Sequence, residues 1–126
     1  MVQDSTRLLI VDDDRRFAQE LKVDAERLGL AVEKVHEPVT FGPVLSNWKP
    51  DIIAMDLVMP DADGLELLHA CARHSYGGQL ILMSGGFKLY LDMAQEIATQ
   101  HGLRVAAKLP KPLRPKQFAY LLMSMI

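Results

Sequence analysis

The feature that most limits what this chain can become is a fivefold alternation of short apolar runs with longer amphipathic stretches. Leu8-Leu9-Ile10-Val11, Ala31 to Val35, Ile52 to Met55, Leu80 to Met83 and Val105 to Leu109 have strand length. The first, third and fourth are almost continuously apolar, as strands covered on both faces must be. Between them, Phe17, Leu21, Ala25 and Leu28 recur at helical spacing, with Gly29 placed to end the helix. Leu65, Leu68 and Cys71 make a second stripe, Leu91 with Ala94 and Ile97 or Ala98 a third, and Phe118, Leu121, Leu122 and Met125 a fourth. Val39 to Trp48 is the weakest helical segment, because Gly42 and Pro43 interrupt it. Repeated βα units imply an α/β fold: a parallel sheet with helices on both faces, joined by right-handed crossovers. In such sheets ligands gather at the carboxyl ends of the strands.

A chain of 126 residues has room for one core, so residues 1–126 are expected to form a single domain. No apolar run approaches the roughly 20 residues that cross a bilayer, and Met1 to Thr6 lacks a signal-peptide stretch. A cytoplasmic protein without a membrane partner is the expectation. The net charge of −2 argues against direct binding of nucleic acid. Arg104, Lys108, Lys111, Arg114 and Lys116 follow the last acidic residue, Glu96, and form either a docking face or a solvated end. Cys71, the only cysteine, excludes an intrachain disulfide and reads as a buried thiol.

What lies at the strand ends carries the chemistry. The first strand runs into Asp12-Asp13-Asp14, the third into Asp56, the fourth into Ser84 and the fifth into Lys111-Pro112. Carboxylates, a hydroxyl and an ammonium on one sheet edge are the parts that phosphoryl transfer requires. Three carboxylates within about 5 Å repel by roughly 3 kcal/mol per pair at an effective dielectric near 20, so a cation is needed among them. Mg²⁺ suits an all-oxygen set, and Mn²⁺ can substitute. Asp13 and Asp56 are the expected direct ligands, with Asp12 acting through a coordinated water and Val58 offering its backbone carbonyl. Asp56 is then the nucleophile, forming an acyl phosphate. Lys111 meets Asp56 at rest and a phosphoryl oxygen afterwards, and Ser84 donates to another oxygen.

The pieces Leu9-Ile10-Val11-Asp12-Asp13-Asp14, Pro50 through Pro60 with Asp63-Gly64, Met83-Ser84-Gly85 and Lys111-Pro112 stand in order at fixed spacings. From Leu8 through the last helix the chain closely resembles the receiver domain of two-component response regulators. The resemblance implies a flavodoxin-like (βα)5 fold with strand order 2-1-3-4-5 and a cis Lys111-Pro112 bond. It also implies that Asp56 takes phosphate from a histidine kinase or a histidine phosphotransfer protein. Turnover catalysis is not expected beyond self-phosphorylation and self-hydrolysis. The stretches Gly102 to Val105 and Leu109 to Pro115 resemble receivers fused ahead of EAL-type cyclic di-GMP phosphodiesterase domains, which implies such an output, fused or separate. The face of the fifth strand and last helix is a candidate homodimer surface.

Receivers usually carry Tyr or Phe three residues before this lysine, and here that residue is Lys108. The signal is therefore expected to travel through the Ser84-Gly85-Gly86 loop, with Lys108 displayed on the face of the fifth strand and last helix. Val58 and Gly86 flank the site and are expected to tune hydrolysis. Asp14 reads as a helix cap, Asp51 as a strand-start residue and Trp48 as packing. Asp61 and Asp63 before Gly64 imitate a calcium loop, but Met59 and Ala70 occupy its first and twelfth places. His36, His69, His74 and His101 show no paired ligand spacing. Two other classes compete. A haloacid-dehalogenase-like phosphatase could use Asp12, Asp14, Ser84 and Lys111 but needs a further acidic motif after the lysine. A flavodoxin-type carrier needs a phosphate loop where this chain has three acids. A degenerate receiver serving only for docking is the third alternative.

Overall fold

A computed structural model describes residues 5–60, 62–86 and 88–126. In chain order the elements are β1 (Arg7–Val11), α1 (Arg15–Arg27), β2 (Ala31–Val35), a 3-10 turn (Pro38–Thr40) and α2 (Phe41–Trp48). Then come β3 (Ile52–Asp56), β4 (Val58–Met59), β5 (Ala62–Asp63), α3 (Gly64–Arg73), β6 (Gln79–Ser84), α4 (Lys88–Gln100), β7 (Arg104–Pro110) and α5 (Gln117–Met125). The main sheet is parallel with order β2-β1-β3-β6-β7. With the small antiparallel pair β4-β5 set aside, this is the expected 2-1-3-4-5 order of a flavodoxin-like fold. That pair was not foreseen, because strands of two residues carry no periodicity.

Local chemistry sets the helix ends. The Asp14 carboxylate accepts the Phe17 N–H at 3.0 Å and starts α1, as its sequence position predicts. At the other end Gly29 has φ +91°, and the Leu30 and Gly29 N–H groups bond the Ala25 and Glu26 carbonyls in a Schellman ending. The doubtful segment before β3 resolves into the 3-10 turn and α2. Pro43 falls in the first turn of α2, where a missing N–H costs nothing. Asp51 takes its predicted place: its N–H bonds the Arg7 carbonyl at 2.8 Å and its carboxylate accepts the Arg7 N–H at 2.8 Å. Trp48 packs at the core margin, with the Arg7 guanidinium 5.9 Å above its ring. The Lys111-Pro112 peptide is cis.

The sheet divides the core into two layers. Leu9, Val11, Ile53, Met55, Leu80 and Leu82 face α2, α3 and α4, where Leu68, Cys71, Leu91, Ala94 and Ala98 are buried. Leu8, Ile10, Ala54, Ile81 and Met83 face α1 and α5 with Ala18, Leu21, Phe118 and Leu122. The Cys71 thiol is buried as expected, and burial pushes its pKa up to about 12. In the α3 stripe Leu67 joins the buried set, while Leu65 is only partly covered.

One irregularity changes an expectation. Between Leu80 and Ile81 the register with β7 slips, pairing Leu80 with Val105 and Ile81 with Ala107, so Ala106 is bulged. Val105 therefore joins the α2-α3-α4 layer, whereas Ala107 and Leu109 join the α1-α5 layer. Lys108 is turned toward α4, where its ammonium bonds Asp92 at 2.8 Å. Its expected display on the last-helix side is corrected: the bulge reverses the alternation that a regular strand would have kept.

Candidate functional site

The carboxyl ends of β1, β3, β6 and β7 bring Asp12, Asp13, Asp56, Ser84 and Lys111 to one edge of the sheet. Asp12 is wholly buried, Asp56 is 5% exposed and Asp13 is open to solvent. Each of the three carboxylates offers an oxygen, and these oxygens lie within 4.8 Å of one another. The Lys111 ammonium reaches in from the far strand, 2.7 Å from Asp12 Oδ2 and 3.2 Å from Asp56 Oδ2. Its backbone holds it there, because the Lys111 N–H bonds the Ser84 carbonyl at 2.8 Å. The ammonium also lies 4.3 Å from the centre of the Phe17 ring on α1.

Backbone around the acceptor strand is equally constrained. Asp56 Oδ1 accepts the Val58 N–H at 3.0 Å, and the Leu57 N–H bonds the Met83 carbonyl at 2.9 Å. Leu57 in turn accepts the Gly64 N–H at 3.1 Å. A side chain on Gly64 would bring its Cβ within 2.6 Å of Leu57 Cα, so only glycine lets α3 start this close to the site. Asp63 caps α3 by accepting the Leu65 N–H at 2.9 Å, and the Tyr90 hydroxyl of α4 donates to the same carboxylate oxygen at 2.7 Å. The Leu65 N–H and the Tyr90 hydroxyl hold the Asp63 carboxyl below its usual range. The calcium-loop comparison also involved Asp61, which lies outside the described residues.

The charges are unevenly balanced. Burial pushes the Asp56 carboxyl above its usual range; the Val58 N–H and Lys111 pull it back, while Asp12 adds repulsion. For Lys111, burial alone would favour the neutral amine, but its hydrogen bond to Asp12 and the charges of Asp12 and Asp56 outweigh burial and raise its pKa. Three carboxylates against one ammonium leave a charge of −2 to be matched, and an all-oxygen donor set suits a hard divalent cation. The residues present therefore fit such an ion.

Ser84 is fully buried, and its Oγ accepts the Gly86 N–H at 3.1 Å, tying the hydroxyl to the loop after β6. Asp14 is not among the three clustered carboxylates, and its side chain caps α1, the role its sequence position predicts rather than the one the phosphatase alternative would give it. The peptide N–H of Asp14 bonds Asp12 Oδ1 at 2.9 Å. His36 Nδ1 lies 2.9 Å from the Asp12 carbonyl and braces the end of β1. His69 and His101 meet edge to face with ring centres 5.0 Å apart. Sequence spacing signalled neither that pair nor the approach of Phe17 to Lys111, since each joins elements distant along the chain.

The family model for the response regulator receiver domain matches residues 8–121. Response regulator MprA of Mycobacterium tuberculosis is 36% identical over 63 residues, 50% of this chain and 27% of that protein. MprA of Mycobacterium avium is 36% identical over 61 residues, 48% of this chain and 27% of that protein. The matched part thus spans about a quarter of these curated relatives' length. Among solved structures, a response regulator from Colwellia psychrerythraea superposes with TM-score 0.83 at 36% identity, covering 95% of each chain. A signal receiver domain from Bermanella marisrubri gives TM-score 0.73 at 26% identity, covering 97% of this chain and 95% of that one. The fold, the acidic edge and these likenesses agree, and the chain belongs to the receiver domain family of response regulators.

Proposed function

We propose that Asp56 is the phosphoacceptor of this receiver, taking a phosphoryl group from a phosphohistidine of a histidine kinase or histidine phosphotransfer protein. The observation that carries this reading is the Lys111 ammonium shared between Asp12 and Asp56 beneath an exposed Asp13. A carboxylate oxygen of Asp56 attacks phosphorus, the P–N bond to the donor imidazole breaks, and an acyl phosphate remains. Lys111 then exchanges its Asp56 contact for a phosphoryl oxygen, and the Ser84 hydroxyl, whose oxygen accepts the Gly86 N–H, donates its own O–H to another. That exchange draws the Ser84-Gly85-Gly86 loop inward and shifts the population toward the signalling conformation. Asp13 and Asp56 would hold a Mg²⁺ ion directly, with Asp12 through a water and the Val58 carbonyl completing the protein's share. When bound, the ion supplies the positive charge that lets an anionic carboxylate approach an anionic phosphoryl group.

On this reading residues 1–126 form one cytoplasmic receiver module whose chemistry is limited to self-modification and self-hydrolysis. The output it controls, fused or separate, is proposed to be a cyclic di-GMP phosphodiesterase, on the strength of the resemblance at Gly102 to Pro115. The test is incubation of the protein with Mg²⁺ and a small phosphodonor, acetyl phosphate or phosphoramidate, read by intact mass. The wild type should gain one phosphoryl group and Asp56→Asn none; equal uptake by both would remove Asp56 from the role.

A further inference from the structure

We propose that Phe17 is the positioning residue for Lys111: its ring face holds the ammonium at the mouth of the site through a cation–π contact, ready to move from Asp56 to the incoming phosphoryl group. The inference rests on the phosphoacceptor reading for its functional half and on geometry alone for its structural half. A lysine ammonium is a compact, strongly hydrated charge on a flexible stem, so two carboxylates alone do not fix where its remaining donor points. Here the third side is closed by the Phe17 ring, 4.3 Å from Nζ, well inside the roughly 6 Å reach of such contacts. The Lys111 side chain is only 19% exposed, so the attraction acts where water competes little.

What fixes Phe17 in turn is Asp12, and the contacts close a circuit. Lys111 bonds one oxygen of Asp12, and the Asp14 N–H bonds the other. The Asp14 carboxylate accepts the Phe17 N–H, and the Phe17 ring returns to Lys111. The start of α1 is thereby built onto the same carboxylate that anchors the ammonium. A ring face has no lone pair to saturate a donor, and its attraction is spread over the face. Lys111 can therefore pivot from Asp56 to a phosphoryl oxygen without breaking its hold on α1. Phe17 and Lys111 also line one cavity of about 480 Å³, together with Gly85 and Leu113.

The experiment compares wild type, Phe17→Leu and Phe17→Tyr, each as the full chain. Leucine keeps apolar bulk and helix propensity without a π face; tyrosine keeps the face. Proton shifts of the Lys111 side-chain methylenes should lie upfield from ring current in wild type and Phe17→Tyr and lose that displacement in Phe17→Leu. Phosphorylation by phosphoramidate with Mg²⁺, a donor too small to need a protein docking face, should slow about three- to ten-fold in Phe17→Leu. In Phe17→Tyr it should stay within about two-fold of wild type. The proposal is overturned if the Lys111 shifts do not differ between wild type and Phe17→Leu, if Phe17→Leu reacts at the wild-type rate, or if tyrosine fails to rescue. A wild type that takes up no phosphoryl group overturns the phosphoacceptor reading instead, and the methylene shifts then decide the structural half alone.

Discussion

Two lysines three residues apart make ion pairs of nearly equal length, Lys111 with Asp12 at 2.7 Å and Lys108 with Asp92 at 2.8 Å. Their surroundings differ far more than their distances. Asp92 is 46% exposed and regains water as soon as Lys108 leaves it, so the pair gives up little on breaking. Asp12 is wholly enclosed and shares Lys111 with Asp56, so loss of that one ammonium strands two carboxylates at once. The comparison teaches that the length of an ion pair says little about its importance. What decides is the fate of the partner left behind.

The largest expected effect, and the strongest challenge to that contrast, comes from Lys111→Met. In metal-free buffer it should lower unfolding stability by about 3 kcal/mol in urea titration, with part recovered on adding Mg²⁺. A loss as small as that of an exposed pair would mean that Asp12 and Asp56 rehydrate. Next comes Asp56→Asn. A carboxyl whose pKa is raised on folding favours the folded state most when protonated and loses that contribution as pH rises through the raised value. Removing its charge should therefore stabilise the protein at pH 7, by less than Lys111→Met destabilises it, with the gain shrinking as the buffer is acidified. Smallest is Lys108→Met, which should leave the thermal midpoint unchanged within error at neutral pH. The hydrogen bond from Lys108 holds the Asp92 carboxyl below its usual range, so what the pair contributes is present above the ordinary carboxylate pKa and lost as pH falls through the lowered one. High salt sharpens the contrast: screening at about 1 M should abolish any Lys108 effect while leaving most of the Lys111 effect.

Much of the architecture could be read from side-chain chemistry alone. Leu8 to Val11, Ile52 to Met55 and Leu80 to Met83 announced buried parallel strands because no polar residue interrupts them. Asp12, Asp13, Asp56, Ser84 and Lys111 were legible as a set because the end of a strand in such a sheet is a place as well as a boundary. What stayed hidden was set by tertiary contact. Lys111 lies closer to Asp12 than to Asp56, the reverse of the emphasis its expected resting contact carried. The approach of Phe17 to Lys111 depends on how α1 packs against β1 and α5, which sets its ring beside the segment that follows β7. The Tyr90 to Asp63 bond spans two helices, and no local rule links their positions.

The bulged Ala106 has a consequence for comparing this chain with any other member of its family. A strand keeps a two-state count, and one extra residue inverts it, so the two ends of β7 are read with opposite parity. A gap-free alignment anchored on Lys111 assigns Ala107, Lys108 and Leu109 to their correct sides and misplaces Arg104 and Val105 against a relative without the bulge. Anchored on the start of the strand, the same alignment sends Lys108 to the wrong helices. Ala106 is thus the frame mark of the strand, and adding or deleting one residue there would exchange sides while scarcely altering composition.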